Sequence, residues 1–313
     1  MNSPEILLLG AYPDAEMAKL AESYVVHRLW EQARPDDYLA EIGPRIRAVG
    51  TRGDLGASAA LMRQLPALEI VVCFGVGVDA IDLEYARSHG IAVTNTPDVL
   101  TDDVADMGLA LLLATARRIP YGDRHVRSGA WSAAPMPLTT SVSGKRIGIL
   151  GFGRVGRAVA RRAAGFDMQI AYCSRQPVAD SPYRWFGQAA AMAAEVDFLV
   201  VCLSANPDTR GMVNSEVLAA LGAKGILINV ARGVVVDETA LLAALRDGTI
   251  AGAGLDVFLN EPDPDPAFAQ LDNVVLQPHN ASGTVETRAA IGLLVRENLV
   301  AHFAGEALLT PVL

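Results

Sequence analysis

The chain is short of cysteine, aromatic residues and charge, and each shortage excludes something. Only Cys73, Cys173 and Cys202 occur in 313 residues. They form no CxxC pair and share no zinc-type spacing with histidine, so neither a disulfide framework nor a metal site is expected. Each sits in or at the end of an apolar run and reads as a small buried thiol suited to a reducing cytoplasm. Charged residues make up 19%, and basic residues are the scarcer sign: Lys and Arg total 26 against 35 Asp and Glu, a formal charge of −9. Such a surface repels nucleic acid and anionic membranes, so any anion it binds must be held by a local group of donors. Long apolar runs are missing as well. Val104–Ile119 is interrupted by Asp106 and is too short to span a bilayer. Ile6–Leu9 follows no basic stretch and is expected to be a strand rather than a signal peptide.

What the chain has is apolar residues, 51% of the total, and length enough for two domains. Strand-like runs recur with helical stretches between them. The first series is Ile6–Leu9, Ala48–Thr51, Ile70–Phe74 and Ala92–Thr94. The second is Arg146–Leu150, Gln169–Cys173, Phe198–Leu203, Gly225–Val230, Gly252–Val257 and Asn273–Gln277. Continuous apolar strands alternating with helices indicate parallel sheets covered on both faces, here two Rossmann-like, doubly wound α/β domains. Asn95-Thr96-Pro97 closes the first series, because proline donates nothing to a ladder. Thr101-Asp102-Asp103 starts a helix expected to run to about Arg118, and the loop Trp131–Lys145 leads into the second series. A long helix over Val285–Phe303 would return the chain to the first domain. The expected division is therefore 1–97 with 285–313 for a discontinuous, flavodoxin-like substrate domain, and 98–284 for a dinucleotide domain. Two sequential domains with a C-terminal tail are the alternative.

Arg146–Leu150 runs directly into Gly151-Phe152-Gly153-Arg154-Val155-Gly156 and then into the helix-forming Arg157–Ala164. Strand, GxGxxG and helix in this order suit a dinucleotide: a tight turn, close approach of backbone to the pyrophosphate, and close helix–strand packing. The helix N-terminus offers N–H groups and partial positive charge to the phosphates. The next strand ends in Ser174-Arg175, where an NAD site usually carries an acid for the ribose 2′-hydroxyl. Serine and arginine suit a 2′-phosphate instead, so NADP, with NADPH preferred over NADH, is the expected cofactor.

Three residues each follow an apolar strand: Arg232, Glu261 and His279. Ligands of open parallel sheets lie beyond the carboxyl ends of the strands, so these residues are expected near the nicotinamide. Their types fit reduction of a 2-keto acid. Arg232 can hold a carboxylate through two parallel bonds, His279 can protonate the carbonyl oxygen as hydride arrives, and Glu261 can orient the imidazole and favour its charged form. The nicotinamide carries the redox chemistry and no nucleophile is required.

Gly151–Gly156, Asn229-Val-Ala-Arg-Gly233, Gly254–Phe258 with Glu261-Pro262, and Pro278-His279 resemble the signatures of the D-2-hydroxyacid dehydrogenase family, and the similarity spans nearly the whole chain. Phe74–Asp79, Thr94–Asp106, the Tyr172–Arg175 strand end and Leu309–Val312 resemble its hydroxyphenylpyruvate and glyoxylate/hydroxypyruvate reductases. The resemblance implies a catalytic set of Arg232, Glu261 and His279. It implies a substrate carboxylate held by backbone N–H groups at Val76 and Gly77 beside Arg232. It further implies Asp256 on the nicotinamide carboxamide, Thr101 close to the cofactor, and a homodimer formed through the cofactor domains and the Arg118–Trp131 arm. One departure stands out: Asn280-Ala281-Ser282 occupies a place where relatives often carry glycine before the serine. A dinucleotide-sensing corepressor on the same fold, and a hydrolase that keeps its NAD, are the competing functional readings.

Overall fold

The computed structural model describes residues 3–313. The chain divides into two compact units, one running to Leu100 and including Ser282–Leu313, the other Thr101–Ala281.

The first unit holds five strands: β1 (Glu5–Leu8), β2 (Val25–Arg28), β3 (Ile46–Thr51), β4 (Ile70–Cys73) and β5 (Ala92–Thr94). All pair in parallel in the order β2-β1-β3-β4-β5, the flavodoxin-like winding. The register explains the continuous apolar runs. Leu7, Val49, Val71 and Val93 are paired neighbours across four strands and are fully buried on one face. Ile6, Ala48 and Ile70 form the matching buried row on the other face. A sheet covered on both faces leaves no polar alternation for the sequence to show. The helix Val285–Ala304 packs on β4 and buries Ile291, Val295 and Leu299, one stripe at four-residue spacing. Each of these side chains contributes roughly 2 kcal/mol of transfer free energy. Thr284 caps the helix by accepting from the Thr287 N–H, and Gly305 ends it in the left-handed region at φ 73°.

The second unit holds β6 (Arg146–Leu150), β7 (Gln169–Cys173), β8 (Arg184–Phe186), β9 (Phe198–Val201), β10 (Ile226–Asn229), β11 (Gly252–Leu255) and β12 (Val274–Leu276). They form one parallel sheet in the order β12-β11-β10-β9-β6-β7-β8. The winding reverses between β6 and β9, and both strands are buried along their cores.

Three elements depart from expectation. β2 and β8 are edge strands, short and half exposed, so their sequences Val-Val-His-Arg and Arg-Trp-Phe lack the apolar continuity of the inner strands. The helix from Thr101 stops at Ala116 rather than near Arg118. Arg118 turns into the left-handed region at φ 50°, and a second helix, Ile119–Arg127, follows with Pro120 in its first turn. Proline at that place removes an N–H that has no helical partner, so it begins a helix here instead of marking an end. No helix among the described residues is long and apolar enough to cross a membrane.

Candidate active site

The glycine turn follows β6. Gly151 has φ 96°, and a Cβ there would meet the Cys202 carbonyl carbon and oxygen at 2.9 Å. A Cβ on Gly156 would lie 2.1 Å from the Gly151 carbonyl oxygen. The first and third glycines are thus demanded by the turn and by helix–strand packing. Gly153 differs: a Cβ there meets nothing within 4 Å, so the middle of the turn faces open space at the start of the helix Arg154–Ala164. An open turn with the N-terminal N–H groups of an eleven-residue helix behind it could hold a pyrophosphate. Phe152 stacks on Tyr172 at 4.2 Å between ring centroids and fixes the turn against β7.

The register Leu150↔Cys173 sets Ser174 and Arg175 beside Gly151. Their loop is formed by its own bonds. The Val178 N–H donates to the Tyr172 hydroxyl at 2.8 Å, the Trp185 indole N–H to the Ser174 carbonyl at 3.1 Å, and the Ser174 hydroxyl to the Gln176 carbonyl at 2.6 Å. Arg175 is exposed, and no acid stands at 174–176 to compete with a phosphate for it.

Arg232, Glu261 and His279 come together at the carboxyl edge of β10, β11 and β12. Asn229, 1% exposed, ends β10 and turns the chain: its Oδ1 accepts the Ala231 N–H at 3.0 Å and its Nδ2 donates to the Arg232 carbonyl at 3.1 Å. Gly233 follows, and a Cβ there would meet the Phe258 carbonyl carbon at 2.0 Å and the Leu259 nitrogen at 2.4 Å. Only a bare backbone lets the Arg232 loop lie against the peptide that leads to Glu261. Glu238, at the start of the helix Glu238–Arg246, ties the same two loops by accepting the Leu259 N–H. Neither contact is announced by a local motif; the Gly-Val-Val-Val-Asp-Glu run reads only as a turn and a helix start.

Glu261 accepts the Phe258 N–H at 2.8 Å through Oε1 and bonds His279 Nδ1 at 2.6 Å through Oε2. Burial alone would push its carboxyl up. The bonds from His279 and Phe258 and the charges of His279 and Arg232 outweigh burial and leave it below the usual glutamate value. A carboxyl depressed in the fold stabilises the protein above its unfolded titration near 4.5, and that contribution is lost as pH falls through the lower folded value. Glu261→Gln should therefore lose less thermal stability than the wild type between pH 6 and pH 3.5; equal losses would show that the carboxylate is not held this way.

His279 sits at φ 50°, rare for a residue with a side chain, with its N–H on the Asp256 carbonyl at 2.7 Å. Asp256 is 1% exposed, and its carboxylate accepts the Asn280 N–H at 2.8 Å and the Ala281 N–H at 3.0 Å. The departure at Asn280-Ala281 is thus anchored through backbone groups that any residue supplies, and Ala281 itself is buried. Burial pushes the Asp256 carboxyl up despite those two bonds. Thr101 opens the helix at the start of this unit.

Val76 and Gly77 belong to the first unit, on the loop after β4. The Gly75 carbonyl accepts the Thr96 N–H at 2.9 Å and the Val76 carbonyl accepts Asn95 Nδ2 at 2.8 Å.

Comparison with known proteins bears directly on this arrangement. Residues 109–281 match the family described as D-isomer specific 2-hydroxyacid dehydrogenase, NAD binding domain. The hydroxyphenylpyruvate reductase of Plectranthus scutellarioides is 48% identical over 97% of this chain and 96% of its own length. A 2-hydroxyacid dehydrogenase from Ketogulonicigenium vulgare Y25 superposes with a TM-score of 0.93 at 52% identity, covering 100% of this chain and 99% of that one. An NADPH-dependent glyoxylate/hydroxypyruvate reductase from Sinorhizobium meliloti, solved with NADP and malonate, gives 0.93 at 42% identity, covering 99% and 97%. The relatives match over nearly the whole chain, and the chain belongs to the D-isomer specific 2-hydroxyacid dehydrogenase family.

Proposed function

We propose that the protein is an NADPH-dependent reductase of small 2-keto acids (hydroxypyruvate, glyoxylate or an aryl-pyruvate), giving the D-2-hydroxy acid. The observation that carries this reading is the 2.6 Å bond from His279 Nδ1 to a carboxylate that also feels the charge of Arg232. With Nδ1 engaged, Nε2 is the nitrogen left to act on a substrate. A bound NADPH would supply the hydride. His279 gives the accompanying proton to the substrate carbonyl oxygen and is recharged from solvent. Glu261 holds the ring in place and balances the imidazolium. Arg232 holds the substrate carboxylate. Gly151, Phe152, Gly153, Arg154, Val155 and Gly156 cradle the pyrophosphate, with Thr101 and Asp256 assigned to the rest of the cofactor. The direct test is loss of NADPH absorbance with hydroxypyruvate, glyoxylate and phenylpyruvate, run beside NADH. No oxidation with any of them would end the proposal.

The cofactor assignment rests on Ser174 and Arg175. Arg175→Ala should weaken NADPH about tenfold or more and leave NADH nearly unchanged, since only the phosphate needs the guanidinium. Equal losses for both would remove the 2′-phosphate role. A homodimer belongs to the same proposal. Ile119, Val126, Trp131 and Leu138 are exposed apolar side chains on one stretch of chain, with Trp131 66% and Leu138 100% exposed. Sedimentation should give a mass near twice the 33.0 kDa of one chain; a monomer at micromolar concentration would refute it. The three cysteines are free thiols, in keeping with a cytoplasmic enzyme.

A further inference from the structure

Two motifs in the first unit have no role so far: Asn95-Thr96-Pro97 after β5, and Leu309-Thr310-Pro311-Val312 at the C-terminus. We infer that Asn95 and Thr310 form a latch that aims the N–H groups of Val76 and Gly77 outward as an anion-binding pair, making both of them positioning residues for the substrate carboxylate. The inference rests on the reading that this pair receives the carboxylate.

The geometry starts from the peptide bond. Both peptides of Gly75-Val76-Gly77 are trans, so each carbonyl points opposite to the N–H of the next residue. Thr96 N–H holds the Gly75 carbonyl at 2.9 Å, which turns the Val76 N–H away from Thr96. Asn95 Nδ2 holds the Val76 carbonyl at 2.8 Å, which turns the Gly77 N–H away from Asn95. Gly75 itself, at φ 151°, takes a conformation that a side chain would resist. No backbone carbonyl among the described residues accepts either N–H, and Val76 is 39% exposed. Two successive N–H groups presented this way suit one carboxylate.

Asn95 is in turn held by the tail. Thr310 Oγ1 donates to the Asn95 carbonyl at 2.6 Å, and the Asn95 N–H reaches the Thr310 carbonyl at 3.4 Å. A hydroxyl has one proton, so the remaining bond to Thr310 Oγ1 must come from a donor. Asn298 Nδ2 supplies it at 2.9 Å, while Asn298 Oδ1 accepts the Leu309 and Thr310 N–H groups at 3.1 and 3.2 Å. Asn298 is fully buried in the helix Val285–Ala304. The Val312 N–H closes the tail onto the Val93 carbonyl at 2.7 Å. The polarity is consistent from Asn298 through Thr310 and Asn95 to Val76.

The test measures the glyoxylate KM, the kcat and the NADPH Kd of the full-length enzyme. Asn95→Ala and Thr310→Val should raise the glyoxylate KM about five- to tenfold, with kcat changed less and NADPH affinity unchanged. Thr310→Ser keeps the hydroxyl and should restore the wild-type KM. Asn95→Asp should be worse than Asn95→Ala, because it sets a carboxylate oxygen against the Val76 carbonyl. Unchanged KM in both Asn95→Ala and Thr310→Val would overturn the latch, as would Thr310→Ser behaving like Thr310→Val. A parallel loss of NADPH affinity would show general damage and also overturn it. Failure of the underlying reading looks different: the wild type itself would not reduce glyoxylate, and the latch would fall with it.

Discussion

Replacing His279 with alanine should cut kcat on the order of 10³-fold while NADPH binding stays at the wild-type level. The two readouts separate because the imidazole lies at the end of β12, whereas the glycine turn lies after β6, two strands beyond β10 in the sheet. Without the ring, water must deliver the proton to the developing alkoxide. The deletion also removes one of the two hydrogen bonds that hold Glu261, leaving the Phe258 N–H as its partner. His279→Gln keeps a polar group of similar reach but has no ionisable proton, and should be nearly as slow. A His279→Ala enzyme turning over within about threefold of the wild type would take general-acid catalysis away from this residue. Loss of NADPH binding in the same variant would mean instead that the φ 50° turn at this position holds the site together.

Arg232→Ala should lower kcat/KM for glyoxylate by about 3 kcal/mol, on the order of 10²-fold, mostly through KM. Arg232→Lys should recover little of it, because an ammonium cannot make two parallel bonds to one carboxylate. The loop should survive both changes. Its shape depends on Asn229 bonding the backbone on either side of it and on the bare Gly233 against the Phe258–Leu259 peptide, and neither uses the guanidinium. The Arg232 side chain does donate to the Ala231 carbonyl at 2.8 Å, a local bond that water can replace at an open edge. If Arg232→Lys matched the wild type, bidentate recognition of the carboxylate would be wrong, and a simple positive charge would suffice.

Both sites are carried by backbone features that differ in how visible they are in one dimension. The inner strands declared themselves because burial on both faces leaves runs such as Phe198–Val201 and Ile226–Asn229 almost wholly apolar. Edge strands escape that rule, which is why Val25–Arg28 and Arg184–Phe186 were not expected. The glycine turn was readable since three glycines at fixed spacing leave few alternatives, and the geometry gives each a separate reason. Arg232, Glu261 and His279 were readable as residues that follow strands and from the family signatures around them; parallel register then does the gathering. What local sequence does not carry is contact between distant backbones. Gly233 pressed on Phe258, Glu238 on the Leu259 N–H, and Thr310 on Asn95 join residues 21 to 215 positions apart or depend on the absence of a side chain. Pro120 shows a related ambiguity: the same residue stops one helix or starts another, and here it lies in the first turn of Ile119–Arg127.

The first unit owns both ends of the chain, and this sets an order of assembly. A nascent polypeptide leaves the ribosome N-terminus first, yet β1 to β5 cannot be fully covered until Val285–Ala304 has been translated, because that helix packs on β4. The unit Thr101–Ala281 is contiguous and can close while β4, in the opening hundred residues, still lacks the helix that packs on it. The segment made first is therefore finished last, and a chain stopped before Val285–Ala304 leaves β4 uncovered.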